Sequence, residues 1–241
     1  MKMLIESSQH LKKSILHLLS KMKKWDKLPE FLKKEDVKPY YDHLVHKRFY
    51  RFLKRSFDIF ASFILLGLLL IPSFIIGLII TLTSKGGPFF LQTRIGRYGK
   101  PFKIFKFRTM KKNSEGSQHI THANDMRITK VGKFLRKTHL DEFPQLLNVI
   151  AGQMSFIGTR PEVKQFVDLY KDEWNATLLM RPGITSTASY SYDDEAKVLS
   201  EGNADELYLT VVLPQKMAAN LEDIAKVSVA RDIKILFKTV F

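Results

Sequence analysis

The chain has 241 residues, a formal net charge of +15 and no cysteine. That length allows one sizeable domain with appendages, and the charge favours anionic partners: membrane lipid, nucleic acid or phosphorylated substrates. The lack of cysteine excludes disulfides and thiolate metal sites, and the lysine-interrupted N-terminus does not read as a signal peptide.

Leu11, Ile15, Leu18, Leu19 and Met22 recur at helical spacing with lysines between them. They predict a basic amphipathic helix ending near Trp25. Such a helix suits an anionic membrane surface, and equally a packing face on a partner or core. Pro29 to Tyr41, with mixed charge and two prolines, read as a linker.

From Lys47 the chain turns basic and aromatic, and Ile59 to Leu82 then carry no charged residue. At 1.5 Å per residue that run reaches roughly 30 Å or slightly more, enough for a bilayer. Two features oppose simple spanning. Pro72 near the middle removes a backbone bond and crowds the preceding turn. Both flanks are basic: Lys47, Arg48, Arg51, Lys54 and Arg55 before, Lys85, Arg94, Arg97 and Lys100 after. The positive-inside rule then keeps both ends in the cytoplasm. A re-entrant hairpin bent at Pro72 is expected. Charge alone also suggests a nucleic-acid binder, but basic residues that flank a long apolar run argue against nucleic acid as partner.

Alternation on both sides of Gly96-Arg97-Tyr98-Gly99 predicts a β-hairpin from Pro88 to Arg108. Lys111 to Asp125 read as a polar loop, whose His119, His122 and Asp125 lack a fourth metal ligand at suitable spacing. Thr129 to Thr138 read as a short basic helix. Phe143, Leu146, Leu147 and Ile150 predict a helix beginning near Asp141, with Asp141 as its cap and Pro144 in its first turn. Glu162 to Trp174 predict an amphipathic helix whose aromatics belong in the core. Arg181-Pro182-Gly183 reads as a turn where backbone approaches a ligand, and Asp193 to Glu195 as a helix start. Two helical segments around Pro214 close the chain, and the last, Val227 to Phe241, mixes cations with apolar residues. The fold class is mainly α with a small β-hairpin (α+β).

The adjacent acids Asp141 and Glu142 stand between Arg136 and Arg160. A helix start attracts phosphate, and arginine grips it with a planar fork. A carboxylate can attack phosphorus, and a second can hold Mg²⁺ together with substrate phosphates. Spacing alone supports a phosphate site beside the plainer reading, in which Asp141 caps a helix and Glu142 complements its dipole.

Four blocks in order carry a resemblance: KRSFDIF at Lys54–Phe60, KFRTM at Lys106–Met110, THLDEFPQLLNVIAGQMSFIGTRP at Thr138–Pro161 and RPGIT at Arg181–Thr185. Together they closely resemble the signature of the bacterial sugar transferases, the monotopic phosphoglycosyl transferases. The resemblance implies transfer of a sugar 1-phosphate from a UDP-sugar to a polyprenyl phosphate at the cytoplasmic face of the bacterial inner membrane. It implies Asp141 as nucleophile, Glu142 as Mg²⁺ ligand, and Arg136, Arg160 and Arg181 as phosphate holders. Lys106 and Arg108 become weaker substrate-binding candidates. It divides the chain into an extension (1–46), a membrane-inserted segment (47–84), a catalytic domain (85–200) and C-terminal helices at the membrane (201–241). A homodimer and a non-catalytic scaffold on anionic lipid both stay open. Three departures stand out: His139 where the family has Ser, Thr159 where it has Pro, and Ser186 to Ser189 where it has Gly, an aromatic or aliphatic residue, and soon a Gln. A serine replacing a positive-φ glycine at 186 would strain the backbone.

Overall fold

The computed structural model describes residues 21–111, 125–191, 198–199 and 204–240. Most of the predicted N-terminal helix, His119, His122 and the Asp193–Glu195 cluster lie outside them. The described architecture is mainly helical with two small sheets.

Residues Pro29 to Tyr41 are not a linker. They form two of three short 3-10 turns and enter helix α1, Lys38–His46. Leu28, Leu32, Val37, Tyr41 and Leu44 from this region are buried in the largest core cluster. Their apolar side chains, spaced for tight turns, outweigh the mixed charge around them, because burying each contributes about 1.5–3 kcal/mol. The same cluster takes Val163, Phe166 and Trp174, and Tyr208 to Val227 from the C-terminal region.

Helix α2, Arg48–Thr83, is continuous, with Pro72 inside it. By length and composition it is able to cross a membrane. Both ends touch the same body. Near the start, Arg51, Arg55, Asp58 and Ser62 are buried. Near the end, Ile80 is buried with Phe107 and Leu135. Between them Leu68, Leu70, Ile71 and Phe74 are 69–72 % exposed.

Strands β1, Phe89–Ile95, and β2, Pro101–Phe107, form the expected antiparallel hairpin, with Phe89 opposite Phe107 and Ile95 opposite Pro101. Helix α3, Lys130–Lys137, is capped by Thr129, whose Oγ1 accepts from the Gly132 amide at 2.9 Å. Helix α4, Gln145–Ile150, follows a 3-10 turn at Leu140–Glu142. A second, parallel pair joins β3, Ser155–Ile157, to β4, Gly183–Thr185. The expected helix from Glu162 to Trp174 is instead one α-turn at Lys164–Val167 and a 3-10 helix at Asp172–Leu179, with extended Lys171 before it. Its aromatics still reach the core: Phe166 from the α-turn and Trp174 from the 3-10 helix are buried, with Tyr170 packed between the two elements against the same cluster.

Gly183 closely approaches backbone. A Cβ there would stand 2.1 Å from the Gly158 nitrogen. Ser186 carries no positive φ, so the anticipated strain is absent, and its Oγ accepts from the Ser189 amide at 3.3 Å. Helix α5, Leu213–Ala225, has Pro214 in its first turn, behind a π-helical stretch at Tyr208–Val212. The wider turns give the proline ring room that a regular helix would deny it. Helix α6, Val229–Val240, ends the described chain.

Candidate active site

The acidic pair sits on the 3-10 turn between α3 and α4. His139, just before it, holds a left-handed conformation with φ 54°, a region that non-glycine residues seldom occupy. Asp141 is therefore not the cap of α4. The helix starts four residues later, behind Pro144, because the turn at His139 redirects the chain first. Asp141 is buried, with 8 % of its surface exposed. Among the described residues no hydrogen bond or ion pair ties down its carboxylate. Burial raises its pKa above the ordinary aspartate value, and Glu142 adds to the rise. Lys106, Arg136 and Arg160 pull the other way.

Glu142 is the opposite case. Lys106 Nζ donates to its Oε1 at 2.8 Å. Arg160 donates from both terminal nitrogens, at 2.5 Å to Oε1 and 3.3 Å to Oε2. Burial alone would raise Glu142, but the Arg160 and Lys106 charges outweigh it and hold the carboxyl well below its usual range. Two neighbouring acids thus have different tasks imposed by their surroundings: one anchored and ionised, one buried and unbonded.

Each surrounding cation has its own support. Asn148 on α4 accepts from the Phe105 amide at 3.0 Å and donates to the Lys103 carbonyl at 2.8 Å. That bolts β2, and Lys106 with it, to the helix behind the acids. Thr109 Oγ1 accepts from Arg136 Nε at 2.9 Å, and the Arg136 guanidinium feels the Asp141 charge. Arg94 donates to the Pro161 carbonyl at 3.1 Å and pairs with Glu162 at 3.5 Å, fixing the loop that carries Arg160. Glu162 is in turn held by the Tyr208 hydroxyl. Asn148, Thr109 and Arg94 were missed as site residues. Asn148 and Thr109 lie inside the quoted blocks, whereas the sequence marks Arg94 only as a basic flank of the apolar run.

The structure thus brings together Asp141, Glu142, Lys106, Arg136 and Arg160. It does not bring Arg181 to them. That guanidinium donates to the Gly152 carbonyl at 2.8 Å, beyond the far end of α4, and the charges acting on it are those of Asp58 and Tyr98. Arg108 donates to the Phe89 carbonyl at 3.2 Å, at the open end of the hairpin. Asp125 pairs with Arg127 at 2.5 Å. Among the described residues no three acids or histidines gather as a metal cage.

KRSFDIF acts as a clamp. Arg55 donates to the Val149 and Ile150 carbonyls at 2.8 and 3.2 Å, closing the C-terminus of α4. Asp58 accepts from Ser155 Oγ at 3.0 Å and the Phe156 amide at 3.1 Å. Lys54 pairs with Asp232 of α6 at 2.9 Å.

Three cations around two carboxylates, on the turn that precedes α4, leave one positive charge in surplus, which suits a phosphorylated ligand. That chemistry agrees with the comparisons. A sequence model described as bacterial sugar transferase matches residues 49–241, and the chain belongs to that family. It is 37 % identical over 196 residues to a UDP-N-acetylgalactosamine-undecaprenyl-phosphate N-acetylgalactosaminephosphotransferase of Aeromonas hydrophila, covering 79 % of this chain and 43 % of that one. It is 39 % identical over 197 residues to a UDP-glucose:undecaprenyl-phosphate glucose-1-phosphate transferase of Escherichia coli K12, covering 79 % and 40 %. A Caulobacter vibrioides protein of the same name is 36 % identical over 191 residues, covering 78 % and 68 %. The chain thus spans less than half the length of the first two relatives.

Proposed function

We propose that the protein transfers a sugar 1-phosphate from a UDP-sugar to undecaprenyl phosphate or a similar polyprenyl phosphate, at the cytoplasmic face of a bacterial inner membrane. The observation that carries this is the contrast between the two acids: Asp141 buried and unbonded, Glu142 anchored by Lys106 and Arg160.

An Asp141 oxygen attacks the phosphorus that bears the sugar. The bond from that phosphorus to the bridging oxygen breaks, and UMP leaves with the electron pair. A phosphate oxygen of the polyprenyl carrier then attacks the same phosphorus, the acyl-phosphate bond breaks, and the Asp141 carboxylate is restored. Arg136, Arg160 and Lys106 stabilise charge that builds on the phosphoryl oxygens. Arg181 takes no part in this step, since its guanidinium lies at the other end of α4. For Mg²⁺ the donor set fits: one or two carboxylates, completed by substrate phosphates and water. Glu142, with Asp141 beside it, would hold the ion once Lys106 and Arg160 turn to the diphosphate, and the ion would offset diphosphate charge.

The acceptor's long apolar chain gives α2 its purpose. Two ends packed on one body, with an exposed apolar middle around Pro72, suit a segment that enters one leaflet and returns. The glycan made downstream would be a bacterial surface polysaccharide or glycoprotein. The test is UMP release on mixing the protein with polyprenyl phosphate, Mg²⁺ and a panel of UDP-sugars. Release with one or a few donors, dependent on acceptor beyond a single turnover, is expected. No release with any donor would favour a scaffold that only binds anionic lipid.

A further inference from the structure

A second concentration of charge lies away from the acidic pair. An open hollow at the base of α2 is lined by Arg51, Lys54, Arg55, Asp58, Arg97 and Arg181, among others. Six cations there, Lys21 among them, face one carboxylate, and a second acid, Asp232, is taken by Lys54. Backbone carbonyls absorb part of the excess. Arg55 spends its terminal nitrogens on Val149 and Ile150, and Arg97 donates to Leu179 and Lys21.

Two donors remain. Arg97 Nη2 is buried and has no hydrogen-bond partner among the described residues. Arg181 uses its Nε on Gly152, and no hydrogen bond among the described residues occupies its two terminal nitrogens. Burying a donor without a partner is costly, and like charges gathered in a poorly solvated place repel strongly. Arg97 registers both effects: burial, then the Arg181 and Arg51 charges, bring its pKa down to about 10 against the opposing pull of Tyr98. A cluster with this surplus is completed by an anion.

The hollow is separate from the acidic pair. Asp141 and Glu142 precede α4, while Gly152, which Arg181 holds, follows it. A helix of that size spans about 9 Å. The charges acting on Arg97 and Arg181 do not include Asp141 or Glu142. The same turns of α2 that line the hollow expose Phe49, Leu53, Phe57 and Phe60 on their other side, so the hollow sits where the helix passes from charged to apolar surface.

We propose that this hollow binds a phosphate group, held between Arg97 Nη2 and the Arg181 guanidinium, as a second anion site outside the Asp141–Glu142 centre. Paired guanidinium forks match phosphate oxygens in geometry and charge. The group has two sources: free phosphate, or the headgroup of an anionic phospholipid at the membrane boundary. The proposal does not depend on the catalytic reading.

The test is thermal unfolding of the full chain in two arms. One compares inorganic phosphate with chloride at equal ionic strength in detergent. The other compares nanodiscs of phosphatidylcholine with and without phosphatidylglycerol. A rise in midpoint of roughly 2 °C or more is expected in at least one arm. A rise with free phosphate identifies the simple anion, and a rise confined to the nanodisc arm identifies the headgroup. Arg97→Gln should remove the rise, while its own midpoint without added anion stays at or above that of the parent protein. Arg160→Gln, at the acidic pair, should keep it. Where Arg97→Gln does not fold, Arg181→Gln gives the same reading. No rise in either arm, a rise that survives both Arg97→Gln and Arg181→Gln, or one lost in Arg160→Gln overturns the proposal.

Discussion

Asp141 and Glu142 differ in what their neighbours ask of them, and so should their variants. Asp141→Asn removes a buried, unbonded charge, so turnover should vanish while the melting temperature holds or rises. Glu142→Gln leaves Lys106 and the half-exposed Arg160 without their shared partner. It should lose activity and about 2 kcal/mol of stability, discounted for the exposure of Arg160. Denaturant titration of the pair separates the two roles. The pH dependence follows the same contrast. A nucleophile must be ionised, and burial raises Asp141, so the acid limb of kcat/KM should lie above the ordinary aspartate pKa. An acid limb at or below that value would contradict the assignment. For stability the signs are opposite. The lowered Glu142 contributes above its unfolded pKa and loses that contribution as pH falls through its folded one. The raised Asp141 costs stability once pH climbs past its unfolded value. At this scale the sequence announced the acids and two of their arginines, because both charge types crowd one short segment. It did not reveal that Arg181 faces elsewhere. Only the path of β4 decides where that side chain goes, and a three-residue strand leaves no periodic trace.

The elements around the site are held by a few close approaches. Gly183 lies so near Gly158 that a methyl group would meet backbone, which cannot swing aside. Gly183→Ala should therefore cost more than about 2 kcal/mol, at the upper end of overpacking, and the denaturation midpoint reports it. Gly77→Ala, with only Pro88 at ordinary contact distance, should be nearly silent. The β1–β2 hairpin was legible from its alternation about the glycine turn, and α3 as the short basic helix expected from Thr129 to Thr138. The Pro29 to Tyr41 region was not, because its apolar residues declare themselves only against Asp172–Leu179 and α5, far along the chain. Asp141 was expected as a cap because hydrophobic spacing begins there. The left-handed step at His139 cannot be read from spacing, and it shifts the helix start past Pro144.

On the whole molecule, α2 joins the basic body to an exposed apolar surface long enough to cross a membrane. A strongly basic body bears one long apolar helix whose two ends return to it. The natural absence of cysteine makes the topology directly measurable. Cysteines placed singly at His46 and Lys85 should both react with an impermeant thiol reagent from the same face of sided vesicles. Labelling from opposite faces would show a spanning helix. The central claim is chemical, however, and mass spectrometry of the intact protein reaches it most directly. Incubated with a productive UDP-sugar and Mg²⁺ but no acceptor, the protein should gain the mass of one sugar phosphate, on Asp141, and lose it when polyprenyl phosphate is added. Product formed without that added mass would contradict the account.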